Sequence, residues 1–298
     1  SLPTRRSRVR PPLPAPKLKL MIVWISSYPK SGNTHIRSFL SSYYFSKKGK
    51  FNFDQLKNIL QFPDRHYATK DYFSFEEASR NWINHQNHFF DKKKFFLLKT
   101  HNSLKLFKKQ KFTTSNETLG AIYIVRDPRN VISSMSNYFS MSLDEAYSKL
   151  IDDEASLSAK TINGDCSNFT FIGSWANHYK SWRDNNEFKV LFVRYEDLQR
   201  NKYKIFREIV SFINNLKNDR AGIDEKKLIN SVESTSFVNL KNKEFNENFE
   251  ESRYSKDGKR INFFNLGFKN DWKKSLPDDI VNKINISLKK ELLELNYF

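Results

Sequence analysis

The sequence predicts a single α/β domain: a central, mostly parallel β-sheet flanked by helices on both faces, with a P-loop-like anion-binding turn after the first strand. Three observations predict it. Four short apolar runs bounded by polar residues have the length and composition of buried parallel strands. Helix-period segments separate them, as parallel strands in one sheet require. The first run leads directly into a glycine turn, "SYPKSGNTH", that opens a helix. At 298 residues the chain suits one domain with an ample core, expected over 21–298.

The first strand is expected at 21–26 ("MIVWIS") and the first helix at 34–46. Between them Lys30, Ser31, Gly32, Asn33 and Thr34 form the turn. Such a turn points backbone N–H groups and the positive end of the helix dipole at one spot, and Lys30 with the Ser31 and Thr34 hydroxyls adds charge and hydrogen bonds. The triphosphate loop G-x-x-x-x-G-K-[ST] is absent: no glycine leads, and Lys30 precedes Gly32. A structural turn with a solvated lysine is the competing reading.

A helix is expected over 76–90 and the second strand at 95–99 ("FFLLK"). Lys99-Thr100-His101 ends that strand, where a histidine is placed either for general-base work or for a structural role. His85 and His88, three apart on the preceding helix, have no nearby carboxylate or cysteine in the sequence to make a metal site. The third strand, 121–125 ("AIYIV"), is followed by Arg126 and a helix over 128–139 that carries Ser134. Together these two residues could grip a phosphate; alternatively Arg126 pairs with Asp127 or Glu196.

A helix over 171–185 precedes the fourth strand, 189–193 ("KVLFV"), which ends at Tyr195-Glu196-Asp197. Tyr195 is placed to lie against a purine base, and Asp197 has the chemistry of an N-cap for a helix over 198–215. The Lys- and Asn-rich stretch 241–262 reads as a long surface loop able to act as a lid. An amphipathic helix over 278–296 closes the chain. Phe45, Phe73, Tyr138 and Phe139 are candidates to line an apolar pocket.

Charge and cysteine content bound the partners. Lys and Arg number 51 against 33 Asp and Glu, a net charge of +18, which suits nucleic acid, an anionic surface or a strongly anionic small ligand, and equally a compositional bias toward Lys and Asn. Residues 1–20 hold six basic residues, five prolines and no acid, and read as a disordered leader. The one cysteine, Cys166, excludes an intrachain disulfide and fits a reducing compartment such as the cytoplasm. No apolar run reaches the roughly 18 to 20 residues of a membrane span.

Taken together, these segments resemble the cytosolic-type sulfotransferases, which use 3′-phosphoadenosine 5′-phosphosulfate (PAPS). The family's loop Y-P-K-S-G-T-T-W is matched by Tyr28-Pro29-Lys30-Ser31-Gly32-Asn33-Thr34-His35, its K-T-H element by Lys99-Thr100-His101, and its arginine-to-serine element by Arg126 and Ser134. Its Y-E-D element is matched by Tyr195-Glu196-Asp197, T-S-F by Thr235-Ser236-Phe237, and R-K-G-x-x-G-D-W-K by Asn265-Leu266-Gly267 through Asp271-Trp272-Lys273.

The resemblance implies a sulfotransferase without a metal: His101 as base, Lys30 and Lys99 on the transferring group, and the donor held by residues 30–35, Arg126, Ser134, Tyr195, Thr235, Phe237 and 265–267. It implies a small-molecule, carbohydrate or lipid acceptor and no nucleic acid. His35 stands where the family has an adenine-stacking tryptophan. Asn265 stands where it has an arginine for the 3′-phosphate, a charge that Lys259, Arg260 or Lys269 would restore. The family's pairing motif is not matched by "KKSLPDDIVNK", which leaves the oligomeric state open. An ATP- and Mg²⁺-dependent kinase or NTPase, and a non-enzymatic binder of nucleic acid or anionic surfaces, are the competing functions.

Overall fold

The computed structural model describes residues 21–90, 94–157, 163–247, 249–254 and 258–298. The leader expected over 1–20 lies outside the described residues. β1 (Met21–Ser27) is the central strand, and its residues serve two faces in turn: Ile22 and Trp24 enter one apolar cluster, Val23 and Ile25 another, all fully buried. That double burial is why the run shows no polar alternation. The Trp24 indole N–H is satisfied by Thr118 Oγ1 at 2.8 Å. α1 (Asn33–Phe45) covers the second face with Ile36, Phe39 and Leu40.

The helix expected over 76–90 is two, α2 (Phe75–Arg80) and α3 (Trp82–Phe89), divided at Asn81, whose side chain donates to the Glu77 carbonyl. β2 (Phe95–Thr100) and β3 (Thr118–Val125) follow, then α4 (Pro128–Phe139), capped by Asp127 with proline in its first turn. α5 (Leu143–Ile151) has a capping box of Ser142 and Glu145. α6 (Trp175–Arg183) starts only after its N-cap, Ser174, so the helix is shorter than 171–185.

Beyond β4 (Lys189–Arg194), α7 (Tyr195–Arg200) and α8 (Lys202–Lys217) are separated by Asn201. The N-cap of α7 is Arg194; Asp197, expected in that role, sits inside the first turn, where a carboxylate still suits the helix dipole. α9 (Glu225–Ser234) and α10 (Phe237–Asn246) lead to a short hairpin of β5 (Arg253–Tyr254) and β6 (Arg260–Ile261). α11 (Trp272–Ser275), α12 (Asp278–Ser287) and α13 (Lys289–Glu294) complete the chain, the last two replacing the single helix expected over 278–296.

The main sheet has the order β2-β1-β3-β4, all parallel. Side chains of α4, α5, α6, α12 and α13 pack on one face and those of α1, α7, α8 and α9 on the other. Burying each large apolar side chain contributes on the order of 1.5 to 3 kcal/mol. Register sets Ser26 beside Thr100, Ser27 beside Ile124 and Val125 beside Arg194, so all four strands end in one row. Every motif singled out at a strand end therefore opens on the same edge, the crevice where parallel sheets bind ligands.

Among the described residues, the stretch 241–262 is a surface loop only in part. α10 occupies its beginning, and Phe249, 3% exposed, packs with Phe51, Leu56, Leu240 and Phe264. Glu244, also buried, fastens the segment by accepting the Phe263 N–H (2.6 Å), the Phe264 N–H (2.8 Å) and the Ser252 hydroxyl (2.6 Å). Phe249, set alone among polar residues, supplies the anchor that local composition hides. Among the described residues no helix is long and apolar enough to cross a membrane.

Candidate active site

The turn after β1 depends on two residues in the left-handed region, Lys30 at φ 64° and Gly32 at φ 100°. Glycine is required at 32 for a second reason: a Cβ there would come within 2.3 Å of the Tyr195 ring. Asn33 ties the turn to the strand by donating to the Ile25 carbonyl at 2.9 Å. No side chain caps α1; the His35 N–H turns back to the Gly32 carbonyl at 3.1 Å.

The Lys30 ammonium lies between the rings of Tyr138 and Phe263, 3.6 and 3.8 Å from their centroids, and is enclosed with no hydrogen-bond partner. Burial lowers its pKa to about 7, against a smaller opposing pull from Glu251 and with added repulsion from Lys99, Arg126 and Arg253. This is a cation held ready and poorly compensated.

At the end of β2, His101 donates its Nδ1–H to the Ser27 carbonyl at 2.7 Å. That bond leaves the Nε2 lone pair available. Burial, then the neighbouring Lys99, depress the His101 pKa to about 3, so the ring is neutral. His178 stands behind it, donating Nε2–H to the His101 carbonyl (3.0 Å) and accepting from Tyr123 through Nδ1 (2.8 Å). Burial drops the His178 pKa to about 4, fixing it too as a neutral bracket. Lys99 is buried and donates to Glu251 at 3.2 Å.

Arg126 does not pair with Asp127 or Glu196. Its Nη1 donates to the Lys30 carbonyl (3.0 Å) and Ser134 Oγ (3.5 Å), and its Nη2 to the Gly267 carbonyl (3.3 Å). Its guanidinium lies 4.5 Å from the Tyr195 ring centre. The two carboxylates are otherwise engaged: Asp127 binds Arg129, and Glu196 accepts from the Asp127 N–H and the Tyr297 hydroxyl. One side chain thus joins the turn, α4 and the C-terminal loop.

A cleft of about 580 Å³ collects nearly all the predicted residues: Lys30, Gly32, Asn33, Thr34, His35, Lys99, His101, Arg126, Ser134, Tyr195, Phe237, Asn265, Leu266 and Gly267 all line it. Ser31 and Thr235 are not among its lining residues; the Thr235 hydroxyl donates to the Ser231 carbonyl at 2.6 Å. His35 also makes an edge contact with Phe206, and burial lowers its pKa to about 4. Tyr138 and Phe139 line the cleft, whereas Phe45 and Phe73 are exposed elsewhere. His85 is bonded to the Tyr72 hydroxyl, not to His88.

None of the three residues expected to restore the charge absent at Asn265 lines the cleft. Arg260 donates to the carbonyls of Glu244 and Glu247 and to Ser252 Oγ, and neither Lys259 nor Lys269 lines the cleft. Arg253 does line it, over the rings of Tyr138 and Phe139, the first of which also meets Lys30. Sequence reasoning also missed Asn270, which donates to Ser134 Oγ at 3.1 Å, and Glu251, which came from the stretch read as loop.

A profile of the sulfotransferase domain family matches residues 21–295. Sulfotransferase 1A1 of Rattus norvegicus is 28% identical over 149 residues, 49% of this chain and 45% of that protein. The amine sulfotransferase of Oryctolagus cuniculus is 24% identical over 225 residues, 74% and 62% of the two chains. The matched region thus spans about half the length of the curated relatives. In fold, the chain is similar to mouse sulfotransferase SULT7A1 complexed with PAP (TM-score 0.57, 19% identity, 91% of this chain and 84% of that one). It is similar also to retinol dehydratase in complex with androsterone and inactive cofactor PAP (TM-score 0.56, 14% identity, 91% and 80%).

Proposed function

The chain belongs to the sulfotransferase domain family, and from that premise we propose that it moves a sulfuryl group from PAPS to a hydroxyl or amine acceptor, with His101 as the base. The observation that carries this reading is the enclosed Lys30 ammonium, held between two rings without a hydrogen-bond partner, beside a helix start that no side chain caps. A cation so poorly compensated favours any anion that reaches it. Arg126 and Ser134, 3.5 Å apart, form a second anchor at the same crevice. Two anion anchors at one crevice suit a donor with a 5′-phosphosulfate at one end and a 3′-phosphate at the other.

Lys30, Gly32, Asn33 and Thr34 would hold the phosphosulfate; Arg126 and Ser134 the 3′-phosphate; Tyr195, His35, Phe237 and residues 265–267 the adenosine. The donor brings the activated sulfuryl group, and the protein's task is positioning and charge. His101 Nε2 would take the acceptor's proton. Lys30 would stabilise negative charge as it builds on the oxygen that bridges sulfate and phosphate, and Lys99 the transferring oxygens. The acceptor would enter beside His101, where Gln61, Asp64, Phe139, Leu157, Asn168 and Thr170 line the cleft. The buried Cys166 suits a reducing compartment such as the cytoplasm. No observation on the described residues favours the kinase or the nucleic-acid reading.

The test is transfer from PAPS to a panel of phenols, alcohols and amines, read as a mass gain of one sulfo group on the acceptor and release of PAP, adenosine 3′,5′-bisphosphate. Transfer to at least one class is expected. PAPS left intact by every acceptor, or turnover of ATP instead, would overturn the assignment.

A further inference from the structure

Part of the crevice is already filled by an anion of the protein's own. The Glu251 carboxylate accepts from Thr34 Oγ1 at 2.9 Å, from Arg37 Nη1 at 2.5 Å and from Lys99 Nζ at 3.2 Å. Thr34 and Lys99 are two of the groups assigned above to the donor, and Arg37 lies one helical turn beyond Thr34 on α1. The Glu251 side chain is 21% exposed. Burial alone would raise its pKa, but Lys99, Arg37 and Thr34 outweigh burial and bring it to about 2, so it is ionised.

The three donors have supports of their own besides the carboxylate. Arg37 is independently fixed by donating to the Ile59 carbonyl (2.7 Å) and the Leu56 carbonyl (2.9 Å). Lys99 stands on β2 and Thr34 on α1, both rigid elements. Glu251 itself comes from the segment between α10 and β5, held by a Tyr138 hydroxyl on its carbonyl (2.9 Å) and by buried Phe249 two residues before it. It sits on connecting chain while its three partners sit on the scaffold. A phosphate or phosphosulfate oxygen offers the same acceptor chemistry to the same three donors. The two anions cannot share them, since like charges at that separation repel strongly.

We propose that Glu251 is an internal anion that occupies the Thr34–Arg37–Lys99 corner when the donor is absent and is displaced by the phosphate end of the donor's phosphosulfate, which PAP retains. The proposal rests on the donor reading above. It makes the 249–254 segment a gate on donor entry, and it adds Arg37 to the donor-binding groups. Glu251 keeps two buried cations paired in the empty protein and competes with the ligand in the same act. Stability of the empty protein and donor affinity should therefore move in opposite directions when the carboxylate is removed.

The test compares the full chain with Glu251→Gln by PAP titration calorimetry and by Tm without ligand. The expected result is a lower Tm for the empty variant and PAP binding tighter by about tenfold or more. Binding by the variant alone, the wild type being fully blocked, would also support the gate. Equal or weaker PAP binding by a folded variant would make Glu251 a structural residue and overturn it. Failure of both proteins to bind PAP would instead sink the donor reading. Should the variant not fold, hydrogen exchange on the wild type decides: amides of 249–254 are expected to exchange faster when PAP is added, and protection there would overturn the gate.

Discussion

His101→Ala is expected to lower kcat by roughly 10² to 10⁴ while leaving the affinity for PAP unchanged. The size follows from what the side chain offers: a neutral ring with its Nδ1–H committed to the Ser27 carbonyl and Nε2 left to receive a proton. The ring makes no contact that the nucleotide reading requires. A structural role would show differently, as an equal loss of turnover and PAP binding together with a lower Tm. Since burial and Lys99 hold the free protein's His101 pKa near 3, the base is already deprotonated across the neutral range, and kcat/KM for the donor should show no acid limb there. An acid limb near the ordinary histidine pKa of about 6.5 would contradict the electrostatics described above.

Lys30→Met is expected to raise the barrier by about 3 kcal/mol, the loss of a preorganised donor at developing negative charge. Methionine keeps an unbranched stem between Tyr138 and Phe263, so packing is largely conserved. The variant should hold or gain stability, because the wild-type ammonium is enclosed without a hydrogen-bond partner. Activity lost with Tm retained separates a charge role from a packing role. The same group sets an alkaline limit. Its pKa in the empty protein is about 7, and an anion prefers the protonated form, so donor affinity should fall as pH rises above that value, with proton uptake on binding. In Lys30→Met that part of the pH dependence should vanish.

Much of this site was legible in the sequence because its parts hang on strand ends. A buried strand declares itself by a short apolar run, and in a parallel sheet all such runs end on one edge; Lys30, His101, Arg126 and Tyr195 could thus be assigned to one crevice before any coordinates. The helix divisions at Asn81 and Asn201 were not legible, since apolar spacing continues across both. The least complete reading was 241–262, whose beginning is helical and whose Phe249 is buried. Its folding depends on partners far away in sequence: Phe249 on Phe51 and Leu56, and Glu251 on Thr34, Arg37 and Lys99. Local composition carries no trace of such contacts, and a charged residue drawn into a basic cleft looks the same in sequence as one on a solvated loop. Nor does local sequence show that Arg260 is engaged by the Glu244 and Glu247 carbonyls while Arg253 lines the cleft.

The most direct measurement is calorimetric titration of the purified full chain with PAP, repeated with Arg126→Ala. The account predicts saturable uptake of one PAP per chain by the wild type and clearly weaker binding by the variant, whose second anchor is gone. Absence of binding by the wild type, or equal affinity in the two proteins, would contradict the claim that the carboxyl edge of this sheet grips an adenosine bisphosphate at both ends.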